Sequence, residues 1–214
     1  MTVPSGRFTL HVTKESLSFS AAHFIAHHGS RELLHGHNYQ LAITVEGALG
    51  RDGYVIDFGL VKRAARRICE ELDSRTLIPG RSETLSVVER RGEVEVTCED
   101  GARFLLPCTD VVLLPIVHSS VEELSRYVCE RLSDELRACA SGGVRAVEVS
   151  VAEAPGQAAS YRLAPRGGEP VDRGYRSGRP RRGARDRLRP RAGRARLRRS
   201  RPAPAVRSED SGDF

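Results

Sequence analysis

Residues 7–47, RFTLHVTKESLSFSAAHFIAHHGSRELLHGHNYQLAITVEG, hold two alternating runs joined by a histidine-rich connection. In the first run, residues 7–19, Phe8, Leu10 and Val12 are separated by single polar positions. In the second, residues 38–47, Tyr39, Leu41, Ile43 and Val45 alternate in the same way. Successive strand side chains point to opposite faces, so each run predicts a strand with one covered face.

Working outward, Asp57 is placed to cap a helix over 57–72, in which Val61, Ala65, Ile68 and Leu72 recur at helical spacing. Residues 84–107 read as short strands broken at Arg91-Gly92 and Asp100-Gly101, the second a hairpin signal. A brief buried strand is expected at 111–116. A second helix is expected from Ser119 or Ser120, with Ser119 and Glu122 fitting a capping box and Gly142-Gly143 ending it. Its apolar stripe is Val121, Leu124, Val128, Leu132 and Leu136. The final strand, 144–152, alternates Val147, Val149 and Val151. Helices that follow strand pairs predict an α+β domain, an antiparallel sheet with two helices on one face and an inserted β-hairpin. That domain is expected to span 1–163, with 164–214 as a separate tail.

From Pro165 onward there are sixteen arginines, no lysine and six acidic residues, a local charge of +10, which leaves −4 for the first 164 residues. The tail has too few large apolar side chains to offset the entropy of ordering it, and it reads as disordered. A basic tail attracts nucleic acid or anionic surfaces. Aromatic residues there are limited to Tyr175 and Phe214, and lysine occurs only at positions 14 and 62 of the whole chain. Nucleic-acid contact is therefore expected only through the tail, if at all. The five cysteines (69, 98, 108, 129, 139) form no CxxC pair and read as reduced thiols of a cytoplasmic protein. The longest purely apolar run apart from proline, Val111 to Val117, is too short to span a bilayer, and the N-terminus has no signal pattern.

The chemistry concentrates at His23, His35 and His37. In extended chain, residues i and i+2 project to one side, about 6.5–7 Å apart, so His35 and His37 can converge on one ion. Antiparallel pairing of the flanking strands returns His23 to the same end. Three neutral imidazoles suit zinc, at about 2.0–2.1 Å per bond, and leave a fourth position for water or substrate. By itself HxH is a weak signal, and the bland reading is a polar loop with incidental histidines, His27 and His28 among them.

Phe19-Ser-Ala-Ala-His23 followed by Leu34-His35-Gly-His37-Asn38-Tyr39 resembles the 6-pyruvoyl-tetrahydropterin synthase / 6-carboxy-tetrahydropterin synthase family. The likeness continues through Val55-Ile-Asp57-Phe58, Leu72-Asp73-Ser-Arg75 and Val151-Ala-Glu153, over roughly residues 7–163. The resemblance implies a T-fold that closes into a barrel by homo-oligomerising, commonly as a hexamer, with Zn2+ on His23, His35 and His37. It also implies that Glu153 anchors the pterin, since a carboxylate accepts the ring's adjacent amino and N–H donors together.

The pattern breaks at two places. No Cys occurs in the first 68 residues, where the family usually places a catalytic one just before HGH, and Ser74 stands where a His would follow Asp73. Glu32, three residues before His35, is the candidate base, as in relatives that use a glutamate near this place and leave a hydroxymethyl group. Leu33 and Leu34 are expected to strengthen it by apolar cover. Asp73 is the second candidate proton carrier, and His118, His27 and His28 are weaker alternatives. The resemblance thus implies a zinc-dependent lyase acting on 7,8-dihydroneopterin triphosphate, with a lean to the 6-carboxy product of deazapurine (queuosine) synthesis. The alternatives are a 6-pyruvoyl- or 6-hydroxymethyl-forming variant, or a relative that binds zinc and pterin without turnover. Residues 83–110 form an insertion to which no role is assigned.

Overall fold

A computed structural model describes residues 6–139 and 143–164. The tail expected at 164–214 falls, beyond Ala164, outside these residues. The chain forms β1 (Phe8–His23), the two-residue strands β2 (Ala26–His27) and β3 (Ser30–Arg31), and β4 (His35–Gly47). Helix α1 (Phe58–Leu72) and strand β5 (Arg75–Pro79) follow, then β6 (Leu85–Arg90), β7 (Glu93–Cys98) and β8 (Arg103–Pro107). A single 3-10 turn at Cys108–Asp110 leads to β9 (Val111–Leu114), α2 (Val121–Cys139), β10 (Val144–Ala154) and β11 (Gln157–Leu163).

Six strands form the main sheet in the order β11-β10-β4-β1-β5-β9. The four strands from β11 to β1 pair antiparallel, as expected, whereas β1–β5 and β5–β9 pair parallel. The insertion is a three-stranded antiparallel meander, β6-β7-β8, one strand more than a hairpin. β9 is less buried than expected because it is the sheet edge: only Leu114 is buried, and Leu113 is exposed.

Both helices form where their apolar spacing places them. Asp57 holds extended backbone and its Oδ1 accepts the Gly59 amide at 2.8 Å, capping α1. Its buried face, Val61, Ala64, Ala65, Ile68, Cys69 and Leu72, packs into the same core as Leu124, Val128, Leu132 and Leu136 of α2. Each fully buried large aliphatic contributes about 1.5–3 kcal/mol. Between α1 and α2 the pairs Arg131–Glu71 and Arg67–Glu135 form on the surface, where ion pairs contribute little. The expected capping box is absent: the Ser119 hydroxyl donates to the Phe24 carbonyl at 2.8 Å, and α2 begins one residue after Ser120.

The register of β1 on β4 changes midway. Thr13 faces Ala42 and Ser18 faces Gln40, so residues 14–17 of β1 stand against Leu41 alone. Three extra residues reverse the parity of the strand. Before the irregularity the even position Val12 is buried; from its last residue onward the odd positions Leu17, Phe19, Ala21 and His23 are. A strand that kept its initial alternation would turn Ser18 and Ser20 into the core and His23 away from it.

Candidate functional site

The site continues the rows of the core. On β4, Val45, Ile43, Leu41 and Tyr39 are buried, and the next residues on that face are His37 and His35. On β1 the row is Leu17, Phe19, Ala21, His23. His23 pairs directly with His35, and Ala21 with His37. The bonding nitrogens of the three histidines all lie within 4.8 Å of one another, close enough for small ring rotations to bring them to one centre. Gly36 keeps the strands close between two of them, since a Cβ there would sit 3.2 Å from the Ala21 carbonyl oxygen.

Two of the rings are oriented by backbone. His23 Nδ1 lies 2.8 Å from the Ser119 carbonyl oxygen, and His35 Nδ1 lies 2.8 Å from that of Leu33. A carbonyl only accepts, so each Nδ1 carries the proton and each Nε2 presents a lone pair. His23 Nε2 is buried and has no hydrogen-bond partner. Burial holds His23 below the ordinary imidazole range; His35 and His37 push the same way, against the Ser119 carbonyl and Glu153. A neutral imidazole is the ligating form. Three imidazoles, two of them tautomerically fixed and one with an orphaned buried nitrogen, fit a divalent metal ion of the zinc type.

Glu153 was expected after the last strand. It lies instead inside β10, half-buried, at a register irregularity between Ala152 and Ala154, because a further strand, β11, returns along β10. Val147, Val149 and Val151 precede it on the core-facing row, and its charge is felt at His23 and at Tyr39. Tyr39, read from sequence only as a core position, is fully buried with a hydroxyl that has no partner. Its ring lies edge-on to His23 and His37 at 5.9 and 5.6 Å and stacks on Phe19 at 4.8 Å. Burial, then Glu153 and Glu32, raise its pKa well above the ordinary phenol value. The signal for Tyr39 was its parity with His35 and His37.

Glu32 follows the small β2–β3 hairpin. Its amide donates to the Ile25 carbonyl at 2.9 Å and its Oε2 accepts the Ile25 amide at 3.2 Å, a two-point lock two residues beyond His23. The apolar cover expected from Leu33 and Leu34 is not formed, since both are exposed, Leu33 at 79%. Asp73 is not part of the histidine cluster. It ends α1, and its carboxylate accepts the Ser20 amide at 2.7 Å and the Ser74 hydroxyl at 3.1 Å. Ser74, at a left-handed φ of 57°, lines a groove of about 460 Å³ with Ser20, His37, Asn38, Arg75, Thr76 and Asp110. His27 and His118 line a separate cleft with Glu83, and His28 pairs with Glu99 at 3.4 Å.

A six-stranded, mostly antiparallel sheet carrying two helices defines a T-fold protein, with three imidazoles able to hold a metal ion and a carboxylate at the end of its core rows. The family model described as 6-pyruvoyl tetrahydropterin synthase matches residues 11–164, and the chain belongs to that family. A Methanocaldococcus jannaschii protein named as a 6-carboxy-5,6,7,8-tetrahydropterin synthase is 31% identical over 147 residues, 68% of this chain and 90% of that one. A dihydroneopterin monophosphate aldolase from Pyrococcus furiosus is 42% identical over 60 residues, 28% of this chain and 51% of its own. Among solved structures, a Plasmodium vivax 6-pyruvoyltetrahydropterin synthase is similar with a TM-score of 0.71 and 37% identity, covering 75% of this chain and 99% of that one. That structure is described as a variant in which a catalytic glutamate is replaced by alanine. No helix among the described residues is long and apolar enough to cross a membrane.

Proposed function

We propose that this chain is a zinc-dependent lyase that converts 7,8-dihydroneopterin triphosphate to a 6-substituted pterin, with the 6-carboxy product favoured by the relatives' names. The observation that carries the reading is the convergence of His23, His35 and His37 beside a half-buried Glu153, with an unpartnered nitrogen and an unpartnered hydroxyl facing inward. His23, His35 and His37 would hold the ion. When bound, zinc supplies Lewis-acid polarisation of a side-chain oxygen and eases removal of the proton beside it.

The remaining work falls to the chain's own groups. Glu153 accepts the ring's amino and N–H donors as a parallel pair, which fixes the orientation of the bicycle. Glu32, tethered to Ile25, takes the side-chain proton as general base. A glutamate in that task is consistent with the P. vivax enzyme, whose catalytic residue is a glutamate. Asp73 holds Ser20 and Ser74 beside a groove that His37 also lines, where it would serve as the second proton carrier. The open edges β11 and β9 give copies a place to pair into a barrel. These assignments concern residues 1–163, in a cytoplasmic setting, with the basic tail 164–214 outside the chemistry.

A second reading is a relative that keeps zinc and pterin but has lost turnover, favoured by Ser74 in place of a histidine and by the missing Cys. A third is the 6-hydroxymethyl product, favoured by the aldolase among the relatives. Incubating the zinc-loaded protein with dihydroneopterin triphosphate and chromatographing the pterins separates all three. Formation of a 6-substituted pterin supports the lyase, and its side chain names the product. Intact ring binding with no product over background retires turnover.

A further inference from the structure

The β6–β8 meander contains none of the site residues, yet it is built onto the segment that carries Glu32. Phe24 and Ala26, immediately after His23, are buried with Ile78, Val94, Val96 and Cys98 in a core separate from the main one. The Phe24 ring stacks on Phe104 of β8 at 4.9 Å. Glu99, in the β7–β8 turn, accepts the Gly29 amide at 2.9 Å. The hairpin β2–β3 is thus gripped from one side by the meander, and Glu32 is the next residue out.

Arg31 joins the two. Its side chain is 18% exposed; Nε lies 3.2 Å from Asp100 Oδ2 in the β7–β8 turn, and the guanidinium sits over the Phe104 ring, 5.1 Å from its centroid. From that anchored position an Nη1–H donates to the carbonyl of Glu32 at 2.9 Å. A planar guanidinium can meet a carboxylate, an aromatic face and a carbonyl at once, which an ammonium or an apolar chain cannot. The Leu33 carbonyl, one peptide further on, receives His35 Nδ1. Exposed Leu33 and Leu34 offer that stretch little packing.

We infer that Arg31 is a positioning residue for Glu32, with Asp100 and Phe104 of the meander as its anchor. The insertion's task is then to hold the base still. This rests on the reading of Glu32 as the base, and positional control of that kind is worth a great deal: misplacement by about 1 Å costs on the order of 10²-fold in rate.

The test compares wild type, Arg31→Met, Glu32→Gln and the double variant, all as zinc-loaded full chains. Arg31→Met should lower kcat at least tenfold, with zinc content and substrate KM within twofold of wild type. The double variant should be no slower than Glu32→Gln alone, because residues acting as one unit are not additive. Multiplicative losses, unchanged kcat, or loss of zinc in Arg31→Met would overturn the inference. A second readout needs no turnover. Arg31→Met should speed hydrogen exchange of the Glu32 amide, bonded to Ile25, at least tenfold while Ile43 in β4 stays protected. Unchanged exchange at residue 32 contradicts the positioning role. An inactive wild type with faster exchange in the variant retires the base and keeps the brace.

Discussion

Gln40 on β4 donates through Nε2 to two carbonyls of β1, Lys14 at 2.8 Å and Leu17 at 3.1 Å. These are the first and last residues of the segment that reverses the parity of the strand. The Ser18 hydroxyl adds a bond to the Glu15 carbonyl at 2.8 Å. The side chain of Gln40 therefore pins the irregularity that turns His23 toward His35 and His37.

Gln40→Leu should lower stability by about 1–3 kcal/mol, since two carbonyls lose a donor. It should also weaken zinc binding at least fivefold, because the register behind His23 is loosened. Denaturant unfolding and competition with a chelator measure the two effects. A variant as stable and as tight as wild type would show that the irregularity holds itself.

Much of this architecture is legible in residues 7–163, and the exceptions have physical causes. α1 is announced by Asp57 and its apolar spacing, and the meander by Arg91-Gly92 and Asp100-Gly101. β5, Arg-Thr-Leu-Ile-Pro, escapes because two aliphatic residues between a polar start and a proline are too short a pattern to tell from the close of a helix or a loop. β11 escapes because Ala158, Ala159 and Ser160 alternate too weakly. Parallel pairing of β1, β5 and β9 leaves no local signature at all. At the site, HxH spacing marks His35 and His37, and His23 becomes a candidate by strand pairing. The role of Ser119 is hidden: S-x-x-E reads as a cap, while its carbonyl faces His23 and its hydroxyl is spent on Phe24.

Gly47 is needed where β4 ends. A Cβ there would lie 2.3 Å from the Gly143 carbonyl oxygen and 2.4 Å from Val55 Cγ1. Backbone cannot yield as a flexible side chain does, so Gly47→Ala should destabilise by about 1–3 kcal/mol or more. The urea midpoint reads this directly, and a wild-type midpoint would contradict the close approach.

Burial pushes the Cys69 thiol up to about 11, above its ordinary value of 9.0. Below pH 9 both folded and unfolded chains keep this proton. Between pH 9 and 11 the unfolded chain ionises first, so stability falls as pH rises through that window, by about 2–3 kcal/mol in total. Cys69→Ala should flatten this part of the pH–stability curve. Identical alkaline slopes in the two proteins would contradict the assignment.

Glu32→Gln keeps the shape and a side-chain oxygen to accept the Ile25 amide but removes the base. Turnover should fall at least tenfold, within the roughly 10²–10⁴ that general base catalysis contributes, with zinc content unchanged. Steady-state rates at saturating pterin decide it, and unaltered kinetics would remove Glu32 from the chemistry.

The claim beneath all of this is that His23, His35 and His37 share one zinc ion. X-ray absorption at the zinc edge of the loaded protein tests it without reference to turnover. The account predicts one zinc per chain with three nitrogen neighbours at about 2.0–2.1 Å, one further light ligand and no sulfur, and loss of that spectrum in His23→Ala. A sulfur shell, or undiminished zinc in His23→Ala, would contradict it.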